Sequence, residues 1–79
     1  MNEASVRRMQ LRYLAGRVAS ARAAVAQQTT DKESVIGRDG AAHPRAIRAS
    51  RRLSRTQSAY RALSATYRRR QRKDARWER

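Results

Sequence analysis

The 35 residues from Arg45 to Arg79 contain neither glycine nor proline. Those two residue types are the strongest interrupters of a helix. The stretch therefore predicts one long helix over about 45–76, roughly 48 Å at ~1.5 Å per residue. On a helical wheel Ala49, Leu53, Thr56, Tyr60, Leu63 and Tyr67 follow one another at spacings of 4, 3, 4, 3 and 4. That is a heptad-like seam, the pattern with which one helix packs along another. Arg48, Arg51, Arg52, Arg55, Arg69 and Lys73 fall on the opposite side, so the polar face is almost wholly cationic.

A seam needs something to lie against. Residues 3–28 have no proline and many alanines, and predict the partner helix. Asn2 or Ser5 can cap its start, with Glu3 near the positive end of the helix dipole. Leu11, Leu14, Val18, Ala21 and Val25 recur at spacings of 3, 4, 3 and 4 and form one apolar stripe. Val6, Met9 and Tyr13 form a second patch on a different side. One neighbouring helix cannot cover both, so the reading calls for a further subunit. Gly16 costs this helix about 1 kcal/mol relative to alanine, and leaves room for another helix to approach.

Between the helices, residues 29–44 read as a connector. Thr30 with Glu33 fits a capping box, which predicts a helical turn over 31–36. Gly37 is placed to end that turn, Asp39 and Gly40 to make a tight one, and Val35 and Ile36 to pin the segment to the core. Pro44 suits the first position of the second helix. His43 before it reads as a cap or turn residue, with a pH switch or a phosphate contact as the sharper alternative. The fold class expected is all-α: a single domain over 1–79, an antiparallel helical hairpin with a long basic second helix, oligomeric. A chain of 79 residues is marginal alone. It has no cysteine for a disulfide and one histidine, so no metal site or cofactor is expected, and a partner remains as the staple.

The net charge is +14, and residues 45–79 hold 13 of the 20 cations against two of the six acids. No acid lies between Arg45 and Lys73, so the arginines of that face repel one another. Such a surface favours an anionic partner. Nucleic acid is the first reading, with DNA ahead of RNA. Arg45, Arg48, Arg51, Arg52 and Arg55 form its centre. Arg68, Arg69, Arg70, Arg72 and Lys73 form a second cluster within a basic tail over 68–79, where Trp77 is available to stack on a base. The alternative is a small regulatory protein that docks this helix on an acidic surface of a larger protein. A membrane surface fits less well, because the seam is narrow and carries two tyrosines. No apolar run reaches the ~20 residues of a membrane span, and the opening MNEASVRRMQ lacks the apolar core of a signal peptide, so a cytoplasmic protein is expected, bacterial or viral.

Catalysis finds no foothold. Glu3, Asp31, Glu33, Asp39, Asp74 and Glu78 form no evident pair within an apolar segment. There is no nucleophile elbow, no phosphate-cradling glycine loop and no metal-ligand spacing, and the seven serines lack a plausible base. A non-enzyme is expected.

One resemblance gathers these pieces. A helix, a Gly-x-x-Gly turn and then HPRAIRASRRLSRTQSAYRAL resembles the central helical hairpin of one family of phage terminase small subunits. It covers about residues 29–67, through Gly37, Gly40, His43, Pro44, Ala49, Arg52 and Leu63. In that family the hairpin mediates assembly, often into rings, and the protein helps to recognise viral DNA for packaging beside a motor subunit. The resemblance thus implies an oligomer, a DNA partner and a role in viral genome packaging. This chain departs from the pattern in two ways. Such proteins commonly carry a separate DNA-binding segment ahead of the hairpin, for which there is no room here, and the second helix is unusually basic. The expectation is a reduced form whose hairpin itself meets DNA.

Overall fold

The computed structural model describes residues 2–77, with the backbone alone at Trp77. Two helices account for nearly all of it: α1 over Glu3–Asp39 and α2 over Pro44–Trp77. They pack against each other as a hairpin about 55 Å long and 17 by 14 Å across.

Each end of α1 has a physical cause. Asn2 is extended, and its side-chain oxygen accepts a hydrogen bond from the Ser5 backbone N–H at 2.9 Å. This satisfies one of the orphan donors that every helix start carries. At the far end Gly40 has φ 88° and ψ 155°, a conformation open essentially to glycine alone. Its N–H reaches the Ile36 carbonyl at 2.9 Å and closes the last turn. The chain then reverses over Gly40–His43, where the His43 N–H donates to the Gly40 carbonyl at 3.2 Å. His43 is indeed a cap: its Nδ1 accepts from the Arg45 N–H at 3.1 Å, and its carbonyl accepts the first bond of α2 from Ile47. Pro44, with no N–H to satisfy, opens that helix.

The connector is much shorter than its sequence suggests. Residues 29–39, expected to be linker with an isolated turn, continue α1 without a break. Thr30 does not cap a new helix. Its hydroxyl, like that of Thr29, bonds back to a carbonyl one turn earlier, Ala26 at 3.2 Å and Val25 at 2.7 Å respectively. A threonine inside a helix has this option, and so need not end it. Gly37 is helical rather than left-handed, and the stop falls at Gly40 alone.

The seam follows the apolar stripes. Leu11, Leu14, Val18, Ala21 and Val25 are half-buried along α1, and the row continues through Gln28, Thr29, Lys32, Val35 and Ile36. On α2, Leu53 is buried at 6% exposure, and Ala49, Thr56, Tyr60, Leu63 and Tyr67 are half-buried. Ala46, in the first turn of α2, is the most deeply covered side chain described, at 1%. Val6, Met9 and Tyr13 remain outside this seam, 39, 54 and 66% exposed. The accessible surface is 6324 Å², against about 4,900 Å² for a compact monomer of this mass. A two-helix layer is thin, and leaves much of each helix uncovered.

Candidate nucleic-acid interface

The seam fixes how α2 is rotated, and so decides which arginines face outwards. Arg45, Arg48, Arg51, Arg52 and Arg55 are all exposed, as are Arg68, Arg69, Arg72 and Lys73. Within the described residues none of the α2 cations is in an ion pair; Glu3 and Arg7 of α1 form one, across one helical turn. Arg45, Arg48, Arg52 and Arg55 form one row at helical spacings of 3, 4 and 3, with Arg51 beside it. Neighbours in such a row stand about 5–6 Å apart at Cβ. In the second cluster Arg69 donates to the Thr66 hydroxyl at 3.3 Å, and Arg68 to the Ser64 carbonyl at 3.4 Å. Neither bond neutralises charge.

Arg70 does not join the open face. It is half-buried and lines a groove of about 480 Å³ with Val6, Met9, Gln10, Tyr13, Leu14 and Thr66. It continues the seam series, three residues after Tyr67 and seven after Leu63, so its stem packs towards α1 while Arg68, Arg69 and Arg72 stay exposed. The stacking role expected of the Trp77 side chain, and the end of the basic tail at Glu78 and Arg79, lie outside the described residues.

Pairing the helices creates a second cationic surface that a wheel of α2 alone does not reveal. On one flank, Arg22 of α1 faces Arg61 and Arg68 of α2 across a groove of about 360 Å³, whose wall includes Tyr60, Ser64 and Tyr67. Arg22 Nε donates to the Tyr60 hydroxyl at 3.4 Å. That hydrogen bond, with the Ser64 hydroxyl beside the phenol and the charge of the same guanidinium, holds Tyr60 below the ordinary tyrosine range. Tyr67 is held in turn, its hydroxyl accepting from Gln71 at 3.0 Å. Neither Arg22 nor Arg61 stands out in the sequence. The available signal was their register opposite Tyr60 once the hairpin is closed. On the other flank Arg17 lies over the Tyr13 ring, 5.9 Å from its centre.

No group of three or more metal-ligating side chains occurs among the described residues, and no helix among them is long and apolar enough to cross a membrane. Comparison of the chain with protein-family models, with curated proteins and with solved structures finds no match.

Proposed function

We propose that this chain binds nucleic acid, duplex DNA before RNA, through the arginine face of α2, and that it catalyses no reaction. One observation carries the reading. Ten exposed cations from Arg45 to Lys73 lie along a helix with no acid between those two positions, and none of them is in an ion pair among the described residues. A solvated helix face ordinarily mixes signs and gains from pairs one turn apart. A one-signed face forgoes that gain, and a polyanion returns it by releasing condensed counterions as each phosphate is neutralised. Phosphate contacts dominate such an interface, so sequence selectivity is weak.

The hairpin is also proposed to self-associate through the exposed Val6, Met9 and Tyr13. The surface in excess of a compact monomer supports this, as does the apolar groove beside Arg70. The kinship proposed is with terminase small subunits, as a phage-type protein acting in genome packaging. The short turn from Gly40 to Pro44 ahead of an arginine-rich helix supports it. The helical conformation of Gly37 is a departure from the Gly-x-x-Gly turn.

The test is fluorescence anisotropy of a labelled generic duplex over ~50 to 300 mM salt. Replacing Arg48, Arg52 and Arg55 together with glutamine flattens the plot of log K against log salt by about 2 to 3 units. Negligible duplex binding by the parent at ~100 mM salt, together with a stoichiometric complex on an acidic protein that the same change abolishes, would overturn the proposal in favour of protein docking.

A further inference from the structure

The flank groove carries more than the outward face does. We infer that the concave surface between Arg22, Arg61 and Arg68 is a second phosphate site, which seats the backbone of one nucleic-acid strand between the two helices. The inference rests on the nucleic-acid reading and extends it to residues of both helices.

Three features of the groove support it. Its cations come from opposite sides of the seam, and no acid lines it. Like charges converging on a concavity raise the local concentration of anions more than the same charges on a convex face. Second, Arg22 is already oriented. Its Nε is held by the Tyr60 hydroxyl at 3.4 Å, which leaves both terminal NH2 groups to grip phosphate oxygens. Third, Tyr60 accepts that bond and keeps its own O–H to donate. The neighbouring guanidinium, which makes the phenol more acidic, also makes it a better donor.

Dimensions fit a strand. Arg61 and Arg68 are seven residues apart on α2, about 10.5 Å along its axis. Phosphates of one duplex strand rise by ~3.4 Å each along the duplex axis but lie further apart along the strand's own winding path, so the two arginines reach past one phosphate to a second. Arg22, opposite Tyr60, closes the groove from α1. The geometry depends on the closed hairpin, whereas the Arg48–Arg52–Arg55 row depends on α2 alone.

The experiment uses the full chain and the labelled generic duplex over ~50 to 300 mM salt. Replacement of Arg22, Arg61 and Arg68 together with glutamine is expected to flatten the salt slope by about 2 to 3 units at unchanged helix content by circular dichroism. Tyr60→Phe is expected to weaken binding roughly 2- to 10-fold while leaving the slope as it was, because a neutral donor releases no counterion. That split separates a phosphate contact from a structural role, and decides the matter even where the triple variant fails to fold. Wild-type slope and affinity in a folded triple variant, or in Tyr60→Phe, would overturn the groove while the Arg48, Arg52, Arg55 variant still answers for the outer face. No duplex binding by the parent would remove the nucleic-acid reading and the groove with it.

Discussion

Replacing Arg52 with glutamate asks whether the cationic face of α2 is kept for the fold or against it. Arg52 is exposed, and its facing neighbours one turn away are Arg48 and Arg55. The substitution removes two like-charge pairs and creates two opposite-charge pairs, each worth about 0.2–0.5 kcal/mol on a helix surface. The sum lies at about 0.8–2 kcal/mol. Two discounts apply: exposed pairs are screened, and Arg48 precedes the new carboxylate, which is the poorer order along a helix. About 1 kcal/mol at ~20 mM salt is the expected gain, which raises the melting temperature of a domain this size by about 4–8 °C.

Thermal melts followed by circular dichroism, at one protein concentration, read this directly. The gain shrinks as salt is added and is gone near 1 M, where the Debye length is ~3 Å and shorter than the spacing of the pairs. The same variant binds duplex more weakly, with a slope flattened by about one unit or more. A melting temperature unchanged or lowered at ~20 mM salt, in a variant with native helicity, would refute the reasoning. Arg48, Arg52 and Arg55 would then not be repelling one another, and the argument from repulsion to a polyanionic partner would lose its premise.

Other perturbations address the fold and the flank. Leu53→Ala truncates one of the two buried side chains among the described residues and costs at least about 2 kcal/mol, visible as a large drop in melting temperature, while Ile47→Ala at an exposed position in the same helix changes little. Gly40→Ala is destabilising by about 1–3 kcal/mol because of the φ of 88°, whereas Gly16→Ala stabilises by up to about 1 kcal/mol, since a Cβ there meets nothing within 4 Å; denaturant titration gives both signs. Tyr60 titrates below free tyrosine by absorbance near 295 nm, and Arg22→Gln returns it upwards. A depressed phenol pKa favours the ionised form in the folded state, so ionisation adds stability as the pH rises through the lowered value and adds none at neutral pH, where the contact is a neutral hydrogen bond.

The second helix was legible because its signals agree. No interrupter falls within it, the seam repeats at heptad spacing, and Pro44 and His43 mark its start by chemistry the structure realises. The first helix was legible only as far as its apolar residues run. Beyond Val25 the seam is carried by Gln28, Thr29 and Lys32, whose polar ends conceal half-buried stems, and the apolar stripe stops in the sequence where the seam does not stop in space. Thr30, which looks like a cap, is satisfied backwards along its own helix, as is Thr29. Gly37 and Gly40 carry the same letter, and only the closing of the hairpin selects which one takes positive φ. Arg22 and Arg61 were missed for a related reason. Each is an ordinary exposed arginine on its own wheel, and their convergence arises only when the register between helices is set.

That register also ties the two proposed surfaces together. Arg70 turns from the outer face to line the apolar groove of Val6, Met9 and Tyr13, so a second copy seated there covers a cation that would otherwise meet phosphate. Association brings together chains of +14 each, and their mutual repulsion opposes it. A strand bound along Arg22, Arg61 and Arg68, or along the Arg48 row, cancels part of that charge without occupying the apolar patch. On this reading nucleic acid and self-association favour each other, and by linkage each strengthens the other by the same factor. The copies assemble most readily where the polyanion already is, and raising the salt acts in two opposed directions: it screens the repulsion between free copies, and it weakens the phosphate contacts that draw them to one strand.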